Sequence, residues 1–143
     1  VLSVIMISCN ARPPNRLVPG AIELLEYLRP SYRLFILSNG FREVQFKKLS
    51  NAGLAPYFER MILSEDANIQ KPHKGIFDFA LKNTNSRRSE SLMIGDSWEA
   101  DIIGAYQIQD RPDMVESGRI TCRWIHPDPY SPPLWKRSNL SYK

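Results

Sequence analysis

Apolar residues recur along this chain in two alternating rhythms, short unbroken runs and helical stripes. Arg33 to Leu37 is a β-favouring run that breaks at Ser38-Asn39-Gly40, as a strand covered on both faces requires. Met61 to Leu63 and Leu92 to Ile94 are briefer runs of the same kind. Between them lie helical patterns. Pro19-Gly20 opens the first, with Ile22, Leu25 and Leu28 on the inner face, Glu23 and Glu26 outward, and Pro30 as the stop. Phe41 to Ala52 repeats Phe41, Val44, Leu49 and Ala52 and closes at Gly53, a natural left-handed cap. Ser64 to Pro72 reads as a polar loop. Gly75 to Lys82 buries Ile76, Phe77, Ala80 and Leu81, and Ala100 to Ile108 turns Ile103 inward. Strands alternating with helices at this interval predict parallel βαβ units, an α/β fold of three layers around a mostly parallel sheet.

Past Ile108 the pattern weakens. Gln109 to Gly118 reads as a loop, Ile120 to Ile125 as a final strand, and the segment from Pro127 is proline-rich and basic. A chain of 143 residues suits one domain. Residues 17–126 form its core, 1–16 an N-terminal segment of open placement, and 127–143 a tail whose last residues are expected to be poorly anchored. The first residue is Val1, from which a fragment, a processed form or a truncated reading frame is expected.

Lysine and arginine exceed aspartate and glutamate by 19 to 15, and the excess is scattered apart from pairs such as Lys47-Lys48, Arg87-Arg88 and Lys136-Arg137. That favours solvated faces over a nucleic-acid surface and leaves room for a small anionic ligand. Cys9 and Cys122 are far apart and show neither metal-ligand nor disulfide-framework spacing, so a reducing cytoplasm is expected. The apolar stretch Val1 to Ile7 is shorter than the about 18 residues a membrane span needs and lacks signal-peptide flanks, so no membrane role is expected.

Chemistry concentrates where strands end. The stretch Ile94-Gly95-Asp96-Ser97-Trp98-Glu99-Ala100-Asp101 sets two aspartates just past an apolar run. A doubly wound sheet would bring Asp96 and Asp101, Ser38-Asn39-Gly40 and Gln70-Lys71-Pro72 to one edge. There a hydroxyl and backbone N–H groups can hold phosphate oxygens, a lysine can neutralise charge, and carboxylates can hold Mg²⁺. Taken singly, Ser38 and Asp96 read as turn or capping residues and Lys71 as a surface lysine; the ordered set shifts that balance. His73 and His126 read as surface histidines, and Trp98 as a packed aromatic rather than a gate. Neither GxGxxG, nor GxxxxGK followed by Ser or Thr, nor GxSxG occurs, which disfavours other nucleotide-binding and serine-hydrolase folds.

The set resembles the haloacid dehalogenase (HAD)-like hydrolases over about Leu17 to Ala105, with Leu34-Phe35-Ile36-Leu37-Ser38-Asn39-Gly40 as second motif, Gln70-Lys71-Pro72 as third and Leu92-Met93-Ile94-Gly95-Asp96 with Asp101 as fourth. Ser38-Asn39-Gly40-Phe41-Arg42, Lys71-Pro72 before Ile76-Phe77-Asp78-Phe79-Ala80-Leu81, and Gly95-Asp96-Ser97 look most like the noncanonical pyrimidine nucleotidase branch. The resemblance implies a Rossmann-like core. It further implies a phosphate oxygen on Ser38 with backbone help from Asn39 and Gly40, and Lys71 stabilising phosphoryl group and nucleophile. Asp96 would ligate Mg²⁺, and Asp101 would orient Lys71 or a metal-bound water. The implied substrate is a small phosphate ester such as a nucleoside monophosphate.

Members of that family attack with the first aspartate of an Asp-x-Asp pair ending their first strand, and the second protonates the leaving group. This chain has no aspartate before Asp66. Val4 to Ile7 has two open placements. It belongs to the end of an inserted cap, which the Pro-Gly helix start favours, or it fills the central strand slot and puts Ser8 and Asn10 at the aspartate positions. Without the strand, unpaired edges would promote self-association. Either way the expectation is no turnover, because loss of a carboxylate nucleophile removes the mechanism. The alternative to a hydrolase core is a non-catalytic module that binds a phosphate ligand.

Overall fold

Val4–Ser8 (β1) lies at the centre of a five-stranded sheet in the order β3-β2-β1-β4-β5, built from Arg33–Ser38 (β2), Arg60–Leu63 (β3), Ser91–Gly95 (β4) and Arg123–Trp124 (β5). The computed structural model describes residues 4–8, 17, 20–95, 97–106 and 123–124. Every pairing in the sheet is parallel, with Val4 opposite Arg33 on one side and Ser91 on the other. The strand slot is therefore filled, and the cap placement that the Pro-Gly start favours does not hold for Val4–Ser8. The physical reason is coverage: Val4 and Ile5 are each 1% exposed and Met6 4%, and a β-favouring run covered on both faces is stable only inside a sheet.

The helices divide between the faces. Ala21–Leu28 (α1) and Arg42–Asn51 (α2) cover one, where Ile5, Leu25, Leu28 and Leu34 form one cluster and Ile36, Leu49, Met61 and Leu63 another. Lys74–Asn83 (α4), with Gly104–Tyr106 (α5), covers the other, where Met6, Phe35, Leu37, Ile62, Ile76, Phe77 and Met93 pack together. Chain order moves outward from β1 to β2 and β3, then returns across the sheet to β4. That reversal opens a crevice beside β1 at the carboxyl ends of the strands.

Several helix faces differ from expectation. In α1, Leu25 and Leu28 are buried but Ile22 is 43% exposed, because the inner face runs through Leu24 and Leu25 rather than Ile22. Phe41 precedes α2 in extended conformation and is 75% exposed, and Val44 also faces outward. The buried positions of α2 are Gln45 and Leu49. Its end behaves as the sequence suggests: Gly53 has φ 67°, and Leu54 N–H reaches back to Leu49 C=O at 2.9 Å, a Schellman closure. The expected loop after β3 starts with a helical turn, Ser64–Ala67 (α3).

Ile103 is not an inner residue either. Trp98–Ile103 winds as a π-helical turn before α5, which rotates the register so that Asp101 and Ile102 point inward. Trp98 is 57% exposed, less buried than the packed aromatic expected. His73 is exposed, and its Nδ1 accepts from Gly75 N–H at the start of α4. Cys9, Asn10, Asp96, Cys122, His126, the loop at 109–118 and the 127–143 tail lie outside the described residues.

Polar ties fasten the rim. Arg33 pairs with Glu59 and donates to Thr84 C=O at 3.0 Å; the Glu59 hydrogen bond raises the guanidinium pKa above its ordinary value. The Tyr57 hydroxyl donates to Glu26, which raises the phenol pKa. No helix among the described residues is long and apolar enough to cross a membrane.

Candidate functional site

At the carboxyl ends of β1 and β2 the side chain of Lys71 is fully buried, and its ammonium meets three acceptors. Nζ donates to Ser8 Oγ at 2.7 Å, to Asp101 Oδ1 at 2.7 Å and to Leu37 C=O at 3.0 Å. An ammonium has three protons to give, so this one is saturated. Both side chains of the Lys71–Asp101 pair are 0% exposed, a setting in which pairing is obligatory.

Each member is set in place by the local sequence. Asn39 turns its carboxamide onto the Lys71 backbone: Oδ1 accepts from Lys71 N–H at 2.8 Å, and Nδ2 donates to Lys71 C=O at 3.1 Å. That two-way clamp ties the loop after β2 to the lysine loop, where the Lys71–Pro72 bond is cis. Ser38 is 1% exposed, and its Oγ accepts from Gly40 N–H at 3.0 Å. Asp101 Oδ2 accepts from Ser97 N–H at 3.1 Å, while Ser97 Oγ caps the π-turn through Ala100 N–H at 3.1 Å.

Two glycines make the approach possible. A Cβ on Gly95 would lie 2.4 Å from Asp101 Oδ2, so a bare strand end is what admits the buried carboxylate. A Cβ on Gly104 would meet the Phe77 ring at 2.7 Å and Pro72 C=O at 2.9 Å, so this glycine lets the helix close on the lysine loop. Gly95→Ala is expected to lower stability by about 1–3 kcal/mol, the cost typical of overpacking. Urea denaturation reads this, and an unchanged midpoint would contradict the close contact.

The structure thus brings Ser38, Asn39, Gly40, Lys71 and Asp101 to one edge of the sheet, with Ser8 among them. Asp96 lies outside the described residues. Lys71 is not the surface lysine that its isolated sequence context suggests. Sequence reasoning missed the side-chain role of Asn39, which depends on a loop 32 residues away. It missed Gln45 as well, whose Oε1 is buried without a hydrogen-bond partner among the described residues and whose amide lies where a Cβ on Gly40 would fall. A polar residue inside the α2 pattern was the available signal.

No group of three or more His, Cys, Asp or Glu side chains that could hold a metal occurs among the described residues. Both Asp101 oxygens are occupied, one by Lys71 and one by Ser97 N–H. Asp101 is thus engaged by the protein on both oxygens, and Asp96, the expected magnesium ligand, lies outside the described residues. Chemically, the cluster can present the Ser8 hydroxyl, whose lone pair is held by an ammonium and whose proton has no acceptor among the described residues.

A parallel sheet with helices on both faces and polar loops gathered at one edge defines an α/β protein of Rossmann-like architecture. A family profile described as haloacid dehalogenase-like hydrolase matches residues 8–108. The chain belongs to that family. It is 37% identical over 110 residues to the pyrimidine 5'-nucleotidase YjjG of Escherichia coli, covering 76% of this chain and 44% of the relative. It is 39% identical over 94 residues to a glyceraldehyde 3-phosphate phosphatase of Pyrococcus abyssi, covering 65% and 40%. Among solved structures, the magnesium-bound HAD-hydrolase YfnB of Bacillus subtilis superposes with a TM-score of 0.66 at 31% identity, over 85% of this chain and 53% of that one. The chain spans less than half the length of the curated relatives it matches.

Proposed function

We propose that this chain is the phosphate-binding half of a HAD-like phosphohydrolase core, that it binds small phosphate monoesters of the nucleoside monophosphate kind, and that by itself it does not hydrolyse them. The observation that carries this reading is the 2.7 Å contact between Ser8 Oγ and Lys71 Nζ. A neutral hydroxyl stands at the end of the central strand, where the family resemblance calls for a carboxylate nucleophile. A serine attacks phosphorus only when a base takes its proton, and its polar side-chain neighbour among the described residues is an ammonium already bound to Asp101.

The ligand would reach the site through Ser8 and the partly exposed Asn39-Gly40 turn, because the three protons of Lys71 are spent on protein acceptors. Ser38 sets that turn, Asn39 holds the lysine loop, and Lys71 supplies positive charge from behind the hydroxyl. Asp101 fixes Lys71. Mg²⁺ would rest on Asp96, with the phosphate ligand and water completing its coordination, since this ion commonly binds through one or two carboxylates plus substrate phosphates. The ion would offset phosphate charge. A reducing cytoplasm and a single copy in solution complete the proposal, because the central strand slot that would otherwise drive self-association is filled.

Thermal melting tests the binding. Inorganic phosphate with Mg²⁺, at about 100 times its dissociation constant, should add about 2.7 kcal/mol of stability and raise Tm. Ser38→Ala and Asp96→Asn should each diminish the shift. An equal shift in wild type and both variants would refute the site.

The second reading, a non-catalytic phosphate-ligand module, draws on the same Ser8–Lys71 contact. It predicts binding as strong without Mg²⁺ as with it.

A further inference from the structure

We propose that the outer edge of β3 binds an extended peptide segment of a partner protein by strand addition, with an acidic side chain of that segment meeting Arg60. β3 has a strand neighbour on one side only, β2, and no strand covers its other edge among the described residues. Such an edge offers alternate backbone N–H and C=O groups for pairing.

A groove of about 450 Å³ wraps this edge and reaches both faces of the sheet, a volume within the range of ligand pockets. On the α2 face its walls include Phe46 and Phe58; on the α4 face they include Phe79 and Asn83. An added strand points successive side chains to opposite faces, so a groove with apolar walls on both sides is what its alternation needs. Phe46 is 49% exposed, although phenylalanine is ordinarily an interior residue.

Charge settles the chemistry of the occupant. Of the charged residues lining the groove, Arg42 is paired with Asp66, and Glu59 with Arg33. Arg60 is exposed and makes no ion pair or side-chain hydrogen bond among the described residues. Among the described residues, one cation of the groove remains to be matched. A second copy of this chain fits less well: Met61 and Ile62 of β3 are 9% and 2% exposed within its own core, so β3 paired with β3 would bring no free apolar side chains to fill the walls.

The probe is a fluorescein-labelled, C-terminally amidated hexapeptide, Val-Glu-Val-Thr-Val-Thr, titrated into the full chain by anisotropy, with backbone amide shifts followed by NMR. The expected result is saturable binding with shift changes centred on Arg60–Leu63. Arg60→Glu should weaken it about fivefold, since a cross-strand attraction becomes a repulsion. Phe46→Ser, also at an exposed position, should weaken it independently. Proline in place of the central valine should abolish it, because a ladder donor is lost. Absence of saturable binding, or equal affinity in Arg60→Glu and for the proline peptide, would overturn the proposal. So would concentration-dependent dimers of the peptide-free chain whose contact maps to these amides, which would give the edge to a second copy.

Discussion

Lys71→Met is expected to cost about 3–5 kcal/mol of folding stability, a large part of the about 5–15 kcal/mol that holds a domain of this kind together. Removal of the ammonium leaves the Asp101 carboxylate fully buried, with the Ser97 N–H as its remaining partner among the described residues. Ser8 Oγ and Leu37 C=O lose a donor at the same time. The loss reflects an abandoned charge rather than the net value of the pair. Lys71→Met combined with Asp101→Leu should therefore recover most of it, as apolar replacements of buried ion pairs commonly do. Urea denaturation of the two single variants and the double variant closes the cycle. A Lys71→Met variant within about 1 kcal/mol of wild type would show that the ion pair is not buried as described, since such a small loss is what an exposed pair gives.

Ser8→Asp is expected to give a chain that hydrolyses p-nitrophenyl phosphate in the presence of Mg²⁺, where the proposed function has the wild type leave it intact. Ser8 ends β1 and touches Lys71 Nζ at 2.7 Å, so a carboxylate there would sit beside the charge that the family resemblance assigns to stabilising the nucleophile. The family's second aspartate protonates the leaving group, and nitrophenolate leaves without that help. The missing acid is therefore not limiting with this substrate. An aspartyl nucleophile splits the hydrolysis into two easier displacements, and removal of an enzyme's nucleophile costs about 10⁶ in kcat where it has been measured. A gain of even a small part of that range is readily seen. The same variant with Asp101→Asn should lose the gain, because Lys71 would no longer be held in line. Equal rates in wild type and Ser8→Asp would mean that Ser8 does not occupy the nucleophile position.

Much of this was legible from sequence pattern, and what was not has identifiable causes. The runs at 33–37, 61–63 and 92–94 announced their strands because strands covered on both faces leave little choice of residue. The α4 stripe of Ile76, Phe77, Ala80 and Leu81 also reads directly as its buried face. The α2 stripe misleads, since Phe41 and Val44 face outward while Gln45 turns in to lie against Gly40. Helical periodicity identifies an apolar side but cannot see a glycine that leaves room for an amide. Around Asp101 the π-turn shifts the register by about a residue, which no 3.6-residue period anticipates. The polar clusters of the site could be gathered to one sheet edge from topology alone. The clamp of Asn39 on the Lys71 backbone could not, because it joins two loops whose separation only the folded chain defines. β1 was the most ambiguous element: the Pro-Gly helix start favours the end of an inserted cap over the middle of a sheet, and burial on both faces decides for the sheet.

Phosphorus NMR of uridine monophosphate mixed with the chain and Mg²⁺ tests at once whether the site holds a phosphate ester and whether it breaks it. The expected nucleotide resonance shifts or broadens with added protein, loses that response in Asp96→Asn, and never yields inorganic phosphate. Growth of an inorganic phosphate signal that Asp96→Asn abolishes, or a nucleotide resonance untouched by the protein, would contradict the proposed function.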